Sequence, residues 1–151
     1  MGNKIFAIPI KQLLDNKEDR KTKAFISNLE IDLSKMTDCR DPTLNDLKMA
    51  ISDSGFKIER ESYSKQKEWA CEIKELNMPN TEISISQVNS EKEFIECLIN
   101  FPYGNWETII EILFQLEKFI GPILFYSDSG SMTLIRKNKT VNQIIEEMNK
   151  C

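Results

Sequence analysis

Apolar residues recur along this chain in two rhythms, one of period two and one near 3.6, so it predicts a mixture of short strands and amphipathic helices. Lys4–Ile10 reads as a strand ended near Pro9, and residues 10–20 as a short helix with Leu13 and Leu14 inward. The mixed-charge run Asp15–Lys23 reads as a solvated face or loop. Leu29, Ile31 and Leu33 alternate with polar residues as a strand does, and Ser34–Asp41 is a polar connection. A better-marked helix follows. Asp41 is placed to cap it, Pro42 suits its first turn, Gly55 suits its exit, and Leu44, Leu47, Met49, Ala50 and Ile51 form its apolar face. Residues 56–63 and 68–75 read as strands, the second with Trp69, Cys71 and Ile73 on one face and Glu68, Glu72 and Lys74 on the other. Asn77-Met78-Pro79-Asn80 then punctuates the chain and predicts a boundary.

Beyond that boundary, Ile83 and Ile85 mark a strand over 82–88. Ser90 and Glu93 have capping-box spacing and predict a helix over 91–100, with Phe94, Leu98 and Phe101 on its inner face. Asn105 is placed to cap a helix over 106–120, whose inner face carries Trp106, Ile109, Ile110, Leu113, Leu116 and Ile120, and Gly121-Pro122 stops it. Ile123–Tyr126 is apolar enough for a strand buried on both faces, Ser127–Ser131 is a turn, and Met132–Arg136 is another strand. Thr140 opens a last helix with Val141, Ile144, Ile145 and Met148 inward. The expected fold class is α/β (α+β): a small central sheet with packed helices, divided into an N-terminal subdomain, 1–80, and a C-terminal unit, 81–151, within one compact body.

The composition narrows the chemistry. A chain of 151 residues, 40% apolar and 29% charged, is long enough for one domain with a real core. It contains no histidine, which excludes Ser-His-Asp and Cys-His catalysis, histidine-ligated metals and histidine pH switches. Cys39, Cys71, Cys97 and Cys151 form no C-x-x-C pair, so no metal site is expected and the thiols read as free. No phosphate-cradling glycine loop occurs, and no cofactor is expected. The start shows no basic region followed by a long apolar run, Phe6 stands where a myristoylation signal needs Ser or Thr, and no apolar stretch reaches 18 residues. These features predict a cytoplasmic protein with no membrane partner.

The net charge of −4 disfavours nucleic acid as a partner, and its distribution says more. Residues 1–75 hold 14 basic and 14 acidic side chains, whereas 76–151 hold 6 basic and 10 acidic ones. Within 82–117 only Lys92 opposes Glu82, Glu91, Glu93, Glu96, Glu107, Glu111 and Glu117.

Two constellations suggest chemistry. Glu72-Ile73-Lys74 on a strand resembles the core of restriction-type nucleases, where an acid and a lysine on one strand face hold a metal and a water; Glu59, Glu61 or Asp53 would supply the earlier acid. Acid-x-lysine triplets recur at Asp15–Lys17, Asp19–Lys21 and Asp46–Lys48, so the spacing alone has little specificity. The other is Phe101-Pro102-Tyr103-Gly104-Asn105-Trp106-Glu107. Pro102 and Gly104 bend a loop that delivers Asn105 as an N-cap and Trp106 into the core. Glu107 and Glu111 then stack one turn apart, a like-charge pair that does not help an isolated helix.

This loop and helix resemble the barstar family of intracellular ribonuclease inhibitors and its bacterial immunity-protein relatives, in which an aromatic-glycine-asparagine loop leads into a helix with acids four residues apart. The resemblance covers about residues 82–126, with a shorter loop and glutamates in place of aspartates. It implies that Tyr103, Gly104, Asn105, Trp106, Glu107 and Glu111 bind a partner, the two glutamates filling a cationic site in place of phosphates. The expected function is therefore a non-catalytic inhibitor, an immunity protein or antitoxin, that neutralises a basic toxin such as a nuclease. An acidic chaperone or adaptor for a secreted effector is the alternative, and a metal-dependent nuclease using Glu72 and Lys74 comes third.

Overall fold

The computed structural model describes residues 4–15, 18–20, 23, 24, 27, 39–95 and 98–149. The strand expected around Leu29–Leu33 lies outside them, as do most of the connection before Asp41 and part of the run Asp15–Lys23. Alternation of buried and half-buried side chains identifies β1, Ile5–Pro9, which runs directly into α1, Ile10–Asp15. Leu13 is buried there and Leu14 half-buried. α2, Leu44–Asp53, buries Leu44, Leu47, Ala50 and Ile51 and leaves Met49 exposed. Its N-cap is Thr43 rather than Asp41: Thr43 Oγ1 accepts from the Asp46 N–H at 3.1 Å, and Asp46 Oδ2 accepts from the Thr43 N–H at 2.8 Å. This reciprocal pair satisfies two donors that a cap at Asp41 would leave open.

The remaining elements are β2, Ile58–Tyr63; β3, Trp69–Ile73; β4, Thr81–Ile85; β5, Ile99–Phe101; α3, Trp106–Ile120; β6, Ile123–Ser127; β7, Met132–Ile135; and α4, Val141–Asn149. The strands form one antiparallel sheet in the order β2-β3-β4-β5-β1-β6-β7, so the molecule is an α+β protein. The expected boundary at 77–80 is the connection between β3 and β4, adjacent strands of that sheet. The first strand of the chain is inserted between β5 and β6, pairing Ile5 with Phe101 on one side and with Ser127 on the other.

The two sheet faces differ. Ile5, Ala7, Trp69, Cys71, Ile73, Ile83, Ile85, Ile99, Phe101 and Phe125 are buried in one cluster with the apolar stripes of α2, α3 and α4. On the other face Ile8, Leu124 and Leu134 meet Ile10 and Leu13, so α1 covers the β1–β6–β7 end. Across β2–β5 that second face carries Ser62, Ala70, Ser84 and Asn100 in one row of the register and Arg60, Glu72 and Glu82 in the next. These side chains are exposed or half-buried.

The helix expected over 91–100 is absent among the described residues. Ser90 Oγ does accept from the backbone N–H groups of Lys92 and Glu93, at 3.3 and 3.2 Å, but the chain then bends instead of coiling. Phe94 bridges Thr43, the Ile95 N–H donates to the Pro42 carbonyl at 2.6 Å, and the chain enters β5 at Ile99. Phe94, expected inside, is 60% exposed. Tertiary pairing overrides the local cap: Ile99 and Phe101 fill the core face between β4 and β1, where period-two spacing is required. The barstar-like element order expected for 81–151 therefore lacks its first helix.

Candidate functional site

The loop singled out by the sequence is built on the start of β4. Thr81 is fully buried, its Oγ1 accepts from the Asn105 N–H at 3.0 Å, and its hydroxyl donates to Glu75 Oε2 at 2.5 Å. The Glu82 N–H donates to the Tyr103 carbonyl at 3.0 Å. These bonds hold residues 103–105 against the strand, and the approach is so close that only glycine fits at 104. A Cβ there would lie 2.5 Å from Thr81 Cγ2, and the backbone has φ +153°. Asn105 Oδ1 accepts from the Glu107 N–H at 3.1 Å, capping α3 as the sequence predicts. Trp106 is half-buried and meets Phe125 edge to face at 6.1 Å between ring centroids, so its role is in the core.

Tyr103 points the other way. It is 48% exposed, and its hydroxyl donates to Glu72 Oε1 at 3.3 Å. Partial burial, then the negative charges of Glu82 and Glu72, push its phenol above the usual value. Glu72 and Glu82 are direct cross-strand partners on β3 and β4. Arg60, itself largely exposed, reaches Glu72 at 3.7 Å. Met78 of the β3–β4 connection, 48% exposed, stands beside Tyr103, and Leu76 in the same connection is 82% exposed. Met78, Pro79, Asn80, Tyr103, Gly104 and Asn105 line a notch of about 260 Å³. Arg60, Ser62, Ala70, Glu72 and Glu82 of the open sheet face are among the residues that line a broader, shallow recess.

Glu107 and Glu111 are exposed on α3, and neither is in an ion pair among the described residues. Ser54, just past α2, donates its hydroxyl to the Glu111 carbonyl at 3.5 Å, which places Glu111 beside the end of that helix.

The structure thus distributes the acidic stretch 82–117 rather than gathering it. Glu91 is paired with Lys48 at 2.8 Å. Glu117 is half-buried, with burial raising its pKa against the opposing pull of Lys137 and Lys118. Glu82 joins Glu72 on the sheet, while Glu107 and Glu111 stay on the helix. Of the six residues singled out by the sequence, Tyr103 faces the sheet carboxylates, Gly104 and Asn105 form the latch, Trp106 serves the core, and the glutamates lie on α3. Thr81, Leu76 and Met78 belong to the same region without forming part of the sequence motif. The two apolar residues did carry a signal, standing in a polar turn next to Pro79 with no strand or helix face to serve.

The second constellation gains little definition. Glu72 is engaged by Tyr103 and Arg60, and Lys74 lies just beyond β3, its N–H donating to the Lys57 carbonyl at 3.1 Å. Glu61, a candidate earlier acid, turns to the core face, where it accepts from the Trp69 indole at 2.7 Å and pairs with Lys48 at 2.5 Å. Among the described residues no three acidic or cysteine side chains converge as a metal site would require. No helix among them is long and apolar enough to cross a membrane.

The site and fold define an α+β protein with an exposed aromatic loop latched onto an antiparallel sheet. No protein-family model, curated protein or solved structure matches the chain.

Proposed function

We propose that the protein is a non-catalytic inhibitor, of immunity-protein or antitoxin type, that binds and neutralises a basic toxin, a nuclease in the first instance, in the cytoplasm. The observation that carries this reading is Tyr103. An exposed aromatic side chain is held by a buried threonine latch next to two carboxylates. Aromatic anchors on rigid backbone dominate many protein interfaces, and surrounding charge speeds encounter with an oppositely charged partner. Glu107 and Glu111 add a second negative surface on α3.

The test starts from a pull-down of the native partner, followed by titration and an activity assay on that partner. Tyr103→Ala is expected to weaken binding about tenfold or more. Glu107→Lys with Glu111→Lys is expected to weaken it while the fold survives, as read by circular dichroism. A partner that binds but stays fully active refutes inhibition.

The adaptor reading draws on the exposed Leu76, Met78 and Phe94. Binding dominated by those residues would be nearly insensitive to salt, whereas capture by carboxylates weakens as salt rises.

A further inference from the structure

We propose that the surface around Tyr103 accepts an arginine side chain of the basic partner, with its guanidinium between Glu72 and Glu82 and its flat face on the Tyr103 ring. This rests on the reading of a basic partner and names the chemistry that recognises it. Glu72 and Glu82 stand directly opposite on adjacent antiparallel strands, a placement that is destabilising for like charges and brings their Cβ atoms to roughly 5 Å. Such spacing matches the planar fork of a guanidinium, which can donate to two carboxylates at once, better than the point charge of a lysine. Arg60 does not fill that role, since it reaches only Glu72, at 3.7 Å, with a side chain that is 81% exposed.

Tyr103 adds an oriented aromatic face to the paired carboxylates. Its hydroxyl is tied to Glu72 while nearly half of the residue stays accessible, so the ring is oriented before any partner arrives. A guanidinium can stack on an aromatic face while making its hydrogen bonds in plane. The apolar notch beside the ring, with Met78 on its rim and Leu76 in the same connection, gives a neighbouring apolar residue of the partner a place to bury. A free cation would have no use for that notch, and the carboxylates repel nucleic acid. A protein segment carrying an arginine next to an apolar residue satisfies all three features.

Blocked hexa-arginine and hexa-lysine peptides serve as probes, titrated into the full chain at low salt and followed by NMR shifts. The wild type is expected to bind hexa-arginine several-fold tighter than hexa-lysine. Glu72→Gln with Glu82→Gln is expected to weaken hexa-arginine binding by about tenfold. Tyr103→Leu should remove the preference for arginine, whereas Tyr103→Phe should keep most of it. Glu107→Gln with Glu111→Gln should leave the preference intact. Equal binding of the two peptides by the wild type overturns the proposal. So does a loss of binding on changing Glu107 and Glu111 but not Glu72 and Glu82, and that result leaves the basic-partner reading standing. If the wild type binds neither peptide, both fall. Cooperative thermal unfolding of every variant well above the titration temperature keeps the comparison free of folding effects.

Discussion

At the scale of single residues, Gly104 shows how local sequence and distant packing combine. Glycine between Tyr103 and Asn105 predicts a bend, but only the structure shows that Thr81 occupies the space a Cβ would need. Gly104→Ala is expected to destabilise the protein by about 1–3 kcal/mol, the usual range for overpacking, read from chemical denaturation. Thr81→Ser, which removes the obstructing methyl and keeps the hydroxyl, should recover part of that loss. Cys71 offers a second test. Burial, with a smaller contribution from Glu61, pushes its thiol up to about 12, so the native thiol should resist alkylation at pH 8 and react on unfolding. Because the folded value lies above the ordinary thiol value, the unfolded chain loses its proton first. Stability should therefore fall as pH rises above about 9, and less so in Cys71→Ala. The sequence placed Cys71 on the buried face of its strand from alternation alone. It could not reveal the partners of Tyr103, because Glu72 and Glu82 lie on strands whose register is set by the sheet.

At the scale of elements, helix ends were legible where side chain and backbone meet within a few residues. Asn105, Gly121 and Thr140 stop or start helices as expected, and Thr140 exchanges bonds with Gln143 in a reciprocal cap. The cap of α2 was misplaced by two residues because Asp41 and Thr43 are both good capping types and the choice depends on Asp46. Thr43→Ala is expected to cost about 1 kcal/mol, measurable by urea denaturation. Burial disfavours the Asp46 charge, yet bonds from Arg40 and Thr43 hold the carboxyl below its ordinary value. Its contribution is present above the ordinary carboxylate pKa and is lost as pH falls through the lower folded value. The stability gap between wild type and Asp46→Asn should therefore be full at neutral pH and shrink below about pH 4. The misread element, 91–100, has a genuine cap and helical apolar spacing. Ile99 and Phe101 also satisfy a strand, and the vacancy between β4 and β1 settles the competition.

At the scale of the whole molecule, β1 crosses the division that the sequence suggested. It lies between β5 and β6, and β4 continues the sheet through β3. A fragment of residues 81–151 would leave β5 and β6 without the strand between them and β4 without its longer partner. Expressed alone, it is expected to show no cooperative unfolding transition, whereas the full chain shows one; circular dichroism with heating checks this. The net charge of −4 acts at the same scale. Association with the proposed basic partner should slow as ionic strength rises, with dissociation changing less, and stopped-flow mixing at several salt concentrations measures both.

The sequence by itself determined most of the order of strands and helices, the helix expected over 91–100 excepted, together with the α+β class, most core residues, the caps of α3 and α4, and the loop at 102–105. All of these depend on residues within about two helical turns of one another, where periodicity and capping chemistry act. The tertiary structure decided what the linear charge pattern could not. It neutralised Glu91 against Lys48, separated Glu107 and Glu111 from Glu82, and set Tyr103 beside Glu72 from a strand thirty-one residues away. Contacts between distant segments are fixed by strand order and register, and those follow from burial of the whole core at once.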